Sequence, residues 1–77
     1  MIINTGDVIN VMYADKVINT LYVTSTGEMK FTHPRTGVTF YAAGFTFEDD
    51  QGDEYKRPID HYLKHVKDMG WTLQRAS

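Results

Sequence analysis

The sequence predicts an α+β domain: a small, curled, mostly antiparallel β-sheet with one C-terminal helix and a closing strand. Three observations predict it. Apolar and β-branched residues alternate over most of residues 7–57, interrupted by Gly- and Pro-bearing turn signals. Helical periodicity then appears once, in residues 58–69, where Ile59, Tyr62, Leu63, Val66 and Met69 fall on one face. Alternation returns in Trp71–Arg75, with Trp71 and Leu73 inward. Strands, then a helix, then a strand make an α+β order.

The chain's 77 residues allow one domain, spanning 1–77, near the lower end of what a hydrophobic core holds together unaided. Cysteine is absent, so neither a disulfide nor a Cys-based metal site is available. Ten aromatic residues spread along the chain supply the packing instead. The N-terminus lacks a basic region followed by an apolar stretch, and no apolar run approaches a membrane span. A cytoplasmic protein without a membrane partner is the simplest expectation.

Val8–Tyr13 returns nine positions later as Val17–Tyr22, both rich in β-branched and aromatic residues. With Ala14, Asp15 and Lys16 between them as a turn, they read as a first hairpin. Ser25, Thr26, Gly27 and Glu28 read as the next turn. Met29–Phe47 is the centre of the chain and holds all four phenylalanines. Pro34, Arg35, Thr36 and Gly37 form a four-residue hairpin loop in its middle. Met29, Phe31 and His33 share one face of the incoming strand, and Val38, Phe40 and Ala42 share one of the outgoing. The apolar positions then switch to Phe45 and Phe47, which predicts a bulge or sharp bend at Ala43 and Gly44. Asp49–Asp53 reads as a tight hairpin loop with Gly52 left-handed, placing Phe47 opposite Tyr55. Pro58 suits the helix start, Asp60 its first turn and Gly70 its end.

Gly6-Asp7-Val8-Ile9-Asn10-Val11 has the form G-D-x-x-x-V, and resembles the opening of small SH3-like barrels. The resemblance covers these six residues and implies a partial barrel, with nothing about activity.

No constellation points to catalysis. There is no G-x-S-x-G and no phosphate-binding glycine loop, and there are only three histidines, of which His61 cannot be oriented by its neighbour Asp60 because adjacent side chains diverge on a helix. His61 and His65 have the i, i+4 spacing of metal ligands, with Asp68 in reach, but no general base lies between them. They read as solvated residues on the helix's polar face, and no metal or cofactor is expected. The acidic stretch 48–54 fails as an EF-hand: with Gly52 as the glycine, Phe47, Gln51 and Pro58 occupy ligand positions.

Charge is segregated along the chain. Residues 48–54 carry Glu48, Asp49, Asp50, Asp53 and Glu54 and no cation, while residues 55–77 carry five cations against two anions. A compact chain with no catalytic set works through its surface, so a non-enzymatic protein-binding module is the expected function. Open sheet edges and two oppositely charged faces support it. The expected contacts are Arg35, Tyr41 and the acidic residues Glu48, Asp49, Asp50, Asp53 and Glu54. Charge reversal at Asp49 and Asp50 is expected to weaken binding with stability nearly unchanged. In size and lack of chemistry the chain resembles the accessory proteins of phages and mobile elements, including small inhibitors of host transcription or defence. A homodimer is also compatible with the composition.

The alternative is single-stranded nucleic-acid binding through Lys30, Arg35, Tyr41, Lys56 and Arg57. Gly44-Phe45-Thr46-Phe47 resembles the G-F-x-F core of RNP-type strands, although Ala43 stands where a basic residue belongs. A net charge of −2 weighs against this alternative.

Overall fold

The computed structural model describes residues 1–76, which form strands β1 (Val8–Tyr13), β2 (Lys16–Thr32), β3 (Thr39–Glu48) and β4 (Glu54–Pro58), helix α1 (Ile59–Asp68) and strand β5 (Thr72–Arg75). The fold is α+β: one open five-stranded antiparallel sheet, ordered β4-β3-β2-β1-β5, and one helix. Because β4 and β5 are the two edges, the connecting helix must cross the sheet, and it covers one face.

The long strand β2 determines the shape. Lys16–Tyr22 pair with β1, whereas Tyr22–Thr32 pair with β3, so the two halves of the sheet overlap only around Tyr22 and Val23. The register shifts between Val23 and Ser25, a bulge at Thr24 that bends the strand between its two partners. Hydroxyls of Thr24 and Ser25 both hydrogen-bond Thr46 of β3 there. The turn expected at Ser25–Glu28 is therefore a continuous strand. Gly27 takes φ +143° yet stays paired with Gly44, so the glycine bends the ladder without ending it.

The core lies between the sheet and the helix. Ile3, Ile9, Val11, Leu21, Val23, Phe45 and Phe47 form its buried cluster, with Tyr62, Leu63, Trp71 and Leu73 packed against it. Tyr62 meets Phe45 edge-on at 5.4 Å, an arrangement that aromatic rings prefer over face-to-face contact. Helix α1 turns Ile59, Tyr62, Leu63 and Val66 inward as the spacing predicts, but Met69 is 49% exposed. Met69 is the C-cap, and the Trp71 N–H donating to the Val66 carbonyl turns the chain so that Trp71 packs on the core instead.

The N-terminal segment is tied down by charge. Arg75 pairs with Asp7 at 3.2 Å and donates to the Ile2 carbonyl, and Asp7 accepts the Asn4 N–H. Ile3 is thereby held in the core at 5% exposure.

Turns close the strands largely as predicted. The first hairpin turns on Ala14 and Asp15 alone, both left-handed (φ +49° and +64°), one residue tighter than expected. His33 and Val38 close the four-residue loop, and Phe47 faces Tyr55 across β3 and β4. The bulge expected at Ala43 and Gly44 is absent: pairing with β2 is regular from Phe45 back to Thr39. The apolar positions change because the environment changes. Odd positions face the helix where the sheet is covered, and even positions face away where it is not.

Candidate binding surface

Residues 24–44 contribute nothing to the buried cluster. From Glu28 to Ala43 they form a hairpin arm, the far ends of β2 and β3 paired only with each other beyond Gly44 and Pro58. Two strands without a third layer cannot bury their side chains, so the arm's large residues form a surface. Tyr41 is 66% exposed, Val38 60% and Phe40 39%.

Each face of the arm presents a different set. Lys30 is paired with Tyr41 on one face, and Phe31 with Phe40 on the other. The Phe31 and Phe40 rings stack with centroids 5.7 Å apart. Phe31 lies across β3 at Gly44, where a Cβ would sit 2.5 Å from its Cζ, so only glycine leaves room for the ring. Beyond Gly44 the ring reaches the edge strand, and the Lys56 ammonium stands 4.9 Å from its centroid. Lys56 Nζ also donates to the Lys30 carbonyl, tying β4 to the arm.

A cavity of about 430 Å³ opens at this junction. Phe31, Phe40 and Pro58 give it an apolar lining, and His33, Lys56, Arg57 and His61 give it nitrogen-bearing side chains. Among the described residues no carboxylate lines it. Among the described residues the ion pairs are Lys64–Asp68 and Arg75–Asp7, which leaves Lys30, Arg35, Lys56 and Arg57 without a carboxylate partner.

The acidic residues lie at the opposite end of β3. Asp49 lies eight positions beyond Tyr41, about 26 Å along an extended strand. Arg35 and Tyr41 thus belong to one end of the molecule, and Glu48, Asp49, Asp50, Asp53 and Glu54 to the other. The structure does not gather them into one patch. Asp49, moreover, is structural: its Oδ1 accepts the Gln51 and Asp53 N–H groups, each at 2.9 Å, and so closes the loop. Reversing its charge would cost loop stability, contrary to the expectation of a silent change; Asp50, whose side chain makes none of these bonds, is the cleaner probe.

A second concavity of about 500 Å³ lies between α1 and the β3–β4 hairpin. Phe47, Tyr55, Tyr62 and Trp71 supply its rings, with Asp49 and Arg57 among its polar groups. His61 and His65 border it, His65 edge-on to Trp71 at 5.4 Å, so the exposed imidazoles flank a cleft as well as solvent. The neighbouring Asp49 carboxylate, with smaller effects from burial and Asp53, raises the Tyr55 pKa above its ordinary value. Burial raises that of Tyr62. Both hydroxyls therefore stay protonated well beyond neutral pH. Among the described residues no three His, Cys, Asp or Glu side chains assemble into a metal-binding group.

The two outermost strands, β4 and β5, are short. Strand β4 carries Glu54, Lys56, Arg57 and Pro58 among its five residues, and Arg57 Nη1 donates to the Lys56 carbonyl. Charges and proline are how sheets discourage strand addition. These two outermost strands support strand addition less than the sequence suggests, and the arm, whose strands are paired only with each other, supports partner docking more. Phe45, at 0% exposure, and Phe47, at 4%, are core residues, so the stretch resembling an RNP strand offers no stacking platform. Phe31, Phe40, His33 and Pro58 escaped the sequence reading as a site. Their signal was the change of apolar face at Gly44.

Among the described residues no helix is long and apolar enough to cross a membrane. Comparison with known proteins finds no matching family, no matching curated protein and no matching solved structure.

Proposed function

We propose that this chain is a non-enzymatic protein-binding module, most simply a small intracellular inhibitor or adaptor of the kind phages and mobile elements carry. The observation that carries the reading is the hairpin arm. Residues 24–44 add nothing to the core, yet expose Tyr41, Phe40 and Val38 on a projecting element with Arg35 in its terminal loop. Tyr and Arg are the residues that dominate binding energy at protein interfaces. An aromatic surface that the fold does not need is explained by a partner that covers it.

The second reading, single-stranded nucleic-acid binding, draws on Lys30, Arg35 and Tyr41 in the arm and on Lys56 and Arg57 in β4, where Lys56 reaches the Lys30 carbonyl. Two features favour protein over nucleic acid. Phe40 and Tyr41 lie on opposite faces of the arm, so they do not form one stacking platform. Phe31 is already stacked on Phe40 and capped by Lys56.

The test is affinity capture from host lysate with the native chain and with Arg35→Ala/Tyr41→Ala, each with and without nuclease. One stoichiometric protein that survives nuclease and is lost from the double variant supports the reading. Recovery that collapses after nuclease moves the function to the nucleic-acid alternative.

A further inference from the structure

We infer that the cavity between the arm and β4 receives an acidic, extended segment of the partner protein, seating one large apolar side chain between flanking carboxylates. This rests on the protein-binding reading and assigns it a site and a ligand chemistry.

The first argument is charge. Every ionisable side chain lining the cavity is a lysine, an arginine or a histidine, and neither Lys56 nor Arg57 has a carboxylate partner among the described residues. The chain's own acidic loop sends no side chain into this cavity, and of Lys56 and Arg57 only Arg57 also borders the cleft in which Asp49 stands. The helix cleft differs, because Asp49 stands in it with Arg57 and its lining selects neither sign. A carboxylate entering the arm cavity meets uncompensated positive charge, and a basic segment is repelled.

The second argument is the lining. Phe31, Phe40 and Pro58 form an apolar floor within a cavity of about 430 Å³, which has room for one large side chain. Burying that side chain removes the exposed part of Phe40 from water and supplies affinity that charge alone lacks. Recognition therefore needs both features together.

The third argument is rigidity. Lys56 is fixed between the Phe31 ring and the Lys30 carbonyl, and Arg57 is held by the Lys56 carbonyl and stands 5.3 Å from the Tyr55 centroid. Both cations are pre-positioned, which lowers the cost of ordering them on binding.

The probe is a short synthetic peptide with a central phenylalanine flanked by aspartates, titrated into isotope-labelled chain and followed by NMR. Three controls accompany it: serine for the phenylalanine, asparagines for the aspartates, and an oligothymidine of similar length. The peptide is expected to shift the amides of Phe31, Phe40, Lys56 and His61 and to leave Gln51 and Gly52 unmoved. Either peptide control, and Arg57→Gln in the chain, should weaken binding about tenfold or more. Lys56→Gln, checked for an unchanged fold by its amide spectrum, should do the same. Shifts centred elsewhere, indifference to Arg57→Gln, or tighter binding of oligothymidine would overturn the assignment. Lysate capture separates the two levels. A partner lost with Arg35→Ala/Tyr41→Ala but kept with Arg57→Gln leaves the arm reading intact and removes the acidic segment; a partner kept by both removes the two together.

Discussion

The two ends of β3 put phenylalanine to opposite uses. At the helix-covered end, Phe45 and Phe47 stack with centroids 4.8 Å apart and are almost wholly removed from water. At the arm end, Phe31 and Phe40 also stack, but no helix covers them and Phe40 remains 39% exposed. The same strands, ladder and residue type give a core in one place and a surface in the other. The face makes the difference: α1 packs on the side of the sheet that Phe45 and Phe47 present, whereas Phe31 and Phe40, at the other parity of an unbroken ladder, present the opposite side. Aromatic content therefore does not identify a core until it is known which part of the sheet the helix covers.

Five variants break or sharpen that contrast. The largest effect is expected at the covered end. Phe45→Ala should cost about 3–5 kcal/mol by urea denaturation, a large share of a small domain's stability. Phe40→Ala, by contrast, should cost no more than about 1 kcal/mol, the range of a cross-strand pair, while abolishing partner capture. Similar stability losses at the two positions would erase the distinction.

Gly44→Ala tests the boundary between the halves. The new Cβ would collide with the Phe31 ring, which can swing outward, so the expected cost is about 1 kcal/mol, the low end for overpacking. Displacement of Phe31 should also uncover the Lys56 ammonium, readable as a changed Phe31 ring spectrum and weakened partner capture. A variant that captures the partner normally would show that the Phe31 placement does not matter.

At the far end of β2, Ala14→Asn with Asp15→Gly relieves two left-handed residues in a turn that favours Asn-Gly. Stability should rise by about 1 kcal/mol, and partner capture should not change, because the turn is remote from the arm.

The smallest effect concerns Tyr62. Its folded pKa is raised by burial, so its contribution is complete below the unfolded tyrosine value near 10 and is lost as pH climbs toward the folded value. Thermal melts of the native chain should therefore fall off more steeply above about pH 10 than those of Tyr62→Phe. Parallel alkaline limbs would show that the Tyr62 hydroxyl does not contribute.

Much of the fold was legible because its signals are local. Pro34 to Gly37, Gly52 and the helical spacing from Ile59 to Val66 each act within a few residues, and the structure places them as read. The misreadings arose where the answer depended on distant strands. Gly27 resembles a turn residue until Gly44 is known to lie opposite it, and the switch from Phe40 to Phe45 resembles a bulge until α1 is known to cover only one of them. The candidate site shows the same limit. Arg35 and Tyr41 were legible as exposed, but their separation from Asp49 follows from β3 running between them, and the cavity needs Phe31, Phe40 and Lys56 from three different strands.

The central claim is that the arm serves binding and the rest of the chain serves folding. Deleting residues 28–43 and joining Gly27 to Gly44 through Asn-Gly removes the arm at paired positions and leaves every residue of the buried cluster in place. Comparing urea unfolding and partner capture for this shortened chain and the native one tests the claim directly. Cooperative unfolding retained with capture lost is the expected result. Capture retained by the shortened chain, or a shortened chain that no longer folds, would contradict it.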